Sequence, residues 1–109
     1  MGKKRIPDEV RAQVDAIVER FNKEELRGSH SFYIARYRGS YLHLDRKAGG
    51  RVGPICRLKY NEAMDNWEFA IFKYSDERYD PEEWLFPGGE YIDGTVEGAM
   101  RAGLEAYPV

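Results

Sequence analysis

The chain is poor in the residues that carry metal and covalent chemistry. Among 109 residues it has one cysteine, Cys56, and two histidines, His30 and His43. A single cysteine closes no intrachain disulfide and points to a reducing, cytoplasmic setting. Zinc takes four ligands in short paired spacings. His30, His43 and Cys56 are scattered, so no metal and no cofactor is expected. No apolar run approaches the roughly 20 residues that span a bilayer, so no membrane role is expected. The opening "MGKKRIPDEV" has cations but no apolar stretch behind them, which argues against a secretory signal. Ile6 stands where a myristoylation motif needs Ser or Thr.

Nucleotide and hydrolase motifs are missing too. "AGGRVGP" fits neither the P-loop nor the dinucleotide glycine pattern, and no serine sits in G-x-S-x-G. These gaps point away from an enzyme.

Charge and aromatics are plentiful, and the charge is uneven. The net charge is −2, yet residues 30–60 hold seven Lys/Arg against one acid, and residues 61–109 hold three against twelve. Such a split signals either a charged partner or two parts of the chain that face each other. Eight Tyr, five Phe and two Trp favour strands.

Residues 7–26 predict a helix, because Val10, Val14, Ile17, Val18 and Phe21 share one stripe. Pro7 suits its first position and Gly28 its stop. In "HSFYIARYRGSYLHLDR", Gly39-Ser40 predicts a two-residue hairpin loop. That loop puts Tyr33, Ala35, Tyr37, Leu42 and Leu44 on one face. Phe32, Ile34, Arg36, Arg38, Tyr41, His43 and Asp45 take the other. Residues 47–54 read as a Gly-rich connection. Strands follow at 55–60, with Cys56 and Leu58 inward, and at 67–74, with Trp67, Phe69 and Ile71 inward. A thin second helix carries Val96, Ala99, Met100, Gly103, Leu104 and Tyr107, capped by Asp93 or Thr95.

The expected fold class is α+β. It is a four-stranded antiparallel sheet with an N-terminal and a C-terminal helix packed on one face, ordered α-β-β-β-β-arm-α. One domain covers 1–109, with 1–6 flexible and 76–93 an acidic aromatic arm containing a short helical turn.

That arm holds "YDPEEWLFPGGEYIDG". Asp80, Pro81 and Glu83 suit the start of a short helix, and Pro87 with the two glycines its end. The carboxylates therefore have a structural use, and a metal-assisted enzyme built on them ranks last. Trp84, Phe86 and Tyr91 are the expected anchors. The arm is expected to fold over the outer sheet face, with Trp84, Leu85 and Phe86 on Ile34, Phe72 and Tyr74, and its acids beside Arg36, Arg38, Arg57 and Lys59.

The candidate binding site is that outer face: Arg36, Arg38, Tyr41, His43, Arg57, Lys59, Phe72 and Tyr74. Cations interleaved with rings suit single-stranded nucleic acid, whose bases stack while Lys and Arg meet phosphates. The acidic pI of about 5.7 weighs against this ligand. The expectation is a small non-enzymatic binding module for single-stranded nucleic acid or a protein partner. The alternative is a homodimer contacting through the strand "HSFYIARY" or the small residues of the last helix.

Overall fold

The computed structural model describes residues 5–83 and 85–108. Helix α1 spans Asp8–Glu24, and strands β1 to β5 span Ser31–Arg38, Tyr41–Ala48, Arg51–Lys59, Glu68–Lys73 and Arg78–Asp80. A 3-10 turn at Gly89–Tyr91 precedes helix α2, Val96–Ala106. The strands form one antiparallel sheet in sequence order. The class is α+β, but with five strands rather than four. The extra strand is three residues long and runs straight into Pro81, too short for alternation to reveal.

The hairpins set the register. Arg38 pairs with Tyr41 across Gly39-Ser40, and Gly39 takes φ +59°. The region 47–54 is not a connection, as expected, but a second hairpin. Ala48 pairs with Arg51, and Gly49 and Gly50 both take positive φ, the requirement of a tight two-residue turn. Its glycines turn the chain, while Lys47 and Val52 stay in the ladder.

Strand β3 carries one irregularity. Leu44 pairs with Cys56 and the next residue, Asp45, pairs with Pro54, so Ile55 is the extra residue of a β-bulge. Ile55 and Cys56 are consecutive and both buried, which strict alternation forbids. Pro54 is tolerated because β4 pairs only with Cys56 to Lys59, leaving no partner on that side for a missing N–H.

The core follows the expected parity. Tyr33, Leu42, Leu44, Cys56, Leu58, Trp67, Phe69 and Ile71 are buried. They form one cluster with Val10, Val14, Val18 and Phe21 of α1 and Val96, Ala99 and Met100 of α2. The Tyr33 hydroxyl crosses this cluster and donates to the Met100 carbonyl at 2.7 Å. Thr95 caps α2 by accepting the Gly98 N–H at 3.0 Å. Gly103 is required where it stands: a Cβ there would lie 2.5 Å from the Tyr33 hydroxyl and 2.6 Å from Ile55 Cγ2. Of the segment 1–6, Ile6 is buried and its N–H reaches the Gly39 carbonyl. Among the described residues, no helix is long and apolar enough to cross a membrane.

At its outer edge β1 meets α1 rather than open solvent at one position. The Asn22 side-chain amide donates to the Tyr33 carbonyl at 3.0 Å, and its oxygen accepts the Tyr33 N–H at 2.8 Å. The amide thus occupies both edge-facing backbone groups of that residue, as a neighbouring strand would.

Candidate binding face on the outer side of the sheet

Register alone builds two cross-strand rows. Arg38, Tyr41, Lys59 and Glu68 form one, and Arg36, His43, Arg57 and Ala70 the next. Phe72 continues the same face of β4 and pairs with Tyr79 of β5. Seven of the eight expected residues therefore share this face by backbone position. Tyr74 lies just beyond β4, with its ring 4.9 Å from that of Phe72.

The side chains interlock. The Arg57 guanidinium lies between two rings, 4.6 Å from the centroid of Tyr41 and 5.1 Å from that of Tyr79. Tyr79 stands edge-on to His43 and to Phe72, at 5.4 and 5.0 Å. The His43 ring nitrogen Nδ1 and the Tyr79 hydroxyl share a hydrogen bond of 3.2 Å. Burial lowers the His43 pKa, and the Arg36 cation pushes it further down, so the ring is neutral at pH 7. Burial raises the Tyr79 hydroxyl pKa, which keeps it a donor.

The cations differ in what holds them. Arg36 is committed, with Nε and Nη2 on the Asp45 carboxylate at 3.0 and 3.3 Å. That bond raises the Arg36 pKa further. Among the described residues no carboxylate forms an ion pair with Arg38, Arg57 or Lys59. Arg38, Tyr41 and Lys59 also line a cleft of about 600 Å³ beside the Gly39-Ser40 turn.

The acidic arm takes a different path from the expected one. Phe86 stacks on Phe69, a core residue, with ring centroids 6.0 Å apart. It therefore packs on the inner side rather than over Phe72. Leu85 is 94% exposed and covers nothing, and Tyr91, an expected anchor, is 41% exposed. Trp84 lies outside the described residues. The acids gather around Lys73, which approaches Asp76, Asp80 and Glu83 at 3.9, 3.7 and 3.4 Å. Their partner is thus the β4–β5 hairpin, not the basic rows. Asp80 starts a turn rather than a helix, accepting the Glu82 N–H at 3.0 Å. The helical turn of this segment falls at Gly89–Tyr91 instead.

No family model, no curated protein and no solved structure matches the chain. The site is therefore read from its own geometry.

Two residues escape sequence reasoning. Tyr79 is the hub of the ring contacts, and finding it requires β5, whose three residues carry no period. Arg46 is buried on the inner face, two residues beyond Leu44. Extending the alternation Leu42, Leu44 by one more step would have found it.

Proposed function

We propose that the protein is a non-enzymatic binding module whose outer sheet face takes single-stranded nucleic acid. In this reading both helices share the inner face and leave the outer one to the ligand. The observation that carries it is Arg57 held between Tyr41 and Tyr79, with no carboxylate paired to it among the described residues. A guanidinium kept in place by rings retains its charge and hydrogen-bond donors for a phosphate, and the rings present apolar surface to a base. Arg38 and Lys59, in the neighbouring row and cleft, extend the basic track. A neutral His43 adds a flat ring without like-charge repulsion from Arg36 and Arg57.

The homodimer alternative finds one position of the β1 edge occupied and the small residues of α2 packed inside the chain. Asn22 occupies the β1 edge at Tyr33, and Ala99, Ala102 and Gly103 of α2 are buried within the chain.

Fluorescence anisotropy with labelled oligo-dT and oligo-U tests the proposal. Three neutralised phosphates predict a log–log salt slope of about −2, hence an affinity loss of roughly tenfold or more between about 50 and 200 mM salt. Arg57→Ala should weaken binding at both salts. Absence of binding at the lower salt overturns the reading.

A further inference from the structure

Arg46 is 7% exposed, and it forms no ion pair with a carboxylate among the described residues. Its Nη2 donates to the Tyr107 carbonyl at the end of α2, and its Cζ lies 5.7 Å from the centroid of the Tyr33 ring. Its Nη1 is buried and has no hydrogen-bond partner among the described residues. A carbonyl and a ring face offset part of the cost of burying a cation, but they leave a guanidinium donor unused.

Arg46 lines a cavity of about 380 Å³, far from Tyr41 in register and opened by the β2–β3 hairpin. Arg51 is a second cation in the wall, and among the described residues no acid lines the space. Tyr74 and Tyr107 supply its aromatic side, their rings 5.3 Å apart. The Tyr74 hydroxyl donates to the Pro54 carbonyl at 2.7 Å, which fixes that ring. Gly53 lets it approach, since a Cβ there would sit 2.7 Å from the same hydroxyl. The Tyr107 hydroxyl in turn donates to the Phe72 carbonyl at 2.5 Å.

We infer that this cavity binds a small organic anion, a carboxylate or phosphate monoester on an aromatic or apolar body. The negative end meets the Arg46 guanidinium, with Arg51 beside it, and the body lies against Tyr74 and Tyr107. Two cations select the charge, and two braced rings select the flat body. Of the residues expected on the outer face only Tyr74 lines this cavity, and the inference does not depend on nucleic-acid binding.

The test uses the whole chain with benzoate, phenyl phosphate and inorganic phosphate, each against sodium chloride at equal ionic strength. Benzoate or phenyl phosphate should raise the melting temperature saturably, because a ligand of the native state stabilises it by mass action. Titration calorimetry should show affinity about tenfold weaker in Arg51→Gln, the loss of one charged contact. Arg46→Gln should abolish binding. If that variant does not fold, Arg51→Gln decides the matter alone. Arg57→Ala should bind these probes like the parent. No shift beyond the chloride control overturns the inference. So does unchanged affinity in Arg51→Gln, or loss of binding in Arg57→Ala, which would place the anion on the outer face.

Discussion

On the inner face of the sheet Leu42, Leu44 and Leu58 are sealed from water. One residue away along the same strands, Tyr41, His43 and Arg57 stay partly exposed. Both faces are rich in rings, so aromatic content does not separate them. What separates them is how the polar atoms are satisfied. The inner tyrosine sends its hydroxyl to a helix carbonyl and is closed on all sides. The outer rings hold a cation and an imidazole among themselves and stay partly exposed. Period-two geometry thus lets one strand serve a core and a surface at once.

The sharpest break between the faces should come from truncation. Leu44→Ala should cost about 2–5 kcal/mol in urea unfolding, since it deletes buried methyl groups and leaves a cavity. Its outer neighbour gives the contrast. Arg57→Ala should cost only about 0.5–1 kcal/mol, the scale of an exposed cation–π contact, while weakening oligonucleotide binding. Equal losses of stability at the two positions would end the distinction.

At the sheet's rim, Asn22→Ala should cost about 1–3 kcal/mol, because it strands the backbone N–H and carbonyl of Tyr33. The same variant should self-associate at concentrations where the parent is a monomer by light scattering, since the edge is then free to pair.

The smallest effect is a pH dependence. His43 has a folded pKa below its ordinary value, so the unfolded chain binds its proton more tightly. Stability from this group is therefore full above about pH 6.5 and falls as pH drops from there through the lower folded value. His43→Gln should flatten the stability profile over that window. A steeper profile in the variant would refute the assignment.

The hairpin at Gly39-Ser40 was legible because a two-residue loop between alternating strands fixes which side each residue faces. That one inference located the core half of β1 and β2 and the residues that share the outer face. The hairpin at Gly49-Gly50 was not legible, because a glycine cluster reads as a loop while only its two central residues turn. Ile55 was missed because a bulge breaks the period on which the reading rested. The path of Phe86 was hidden for another reason: complementary charge suggested the basic face, but a nearer partner, Lys73, claimed the acids. Attraction between exposed charges is weak, and local geometry outranks it.

The bulge at Ile55 also constrains how the gene for this chain can drift in length. A three-base deletion there would restore an even ladder with Leu44 still on Cys56 and Asp45 still on Pro54, but it would remove a buried side chain from the core beside Gly103. The cavity left there would cost on the order of 2–5 kcal/mol, the scale of a large-to-small change in a core. Homologues are thus expected to gain or lose codons in the turns and to keep the spacing from the Gly49-Gly50 turn to Cys56 unchanged.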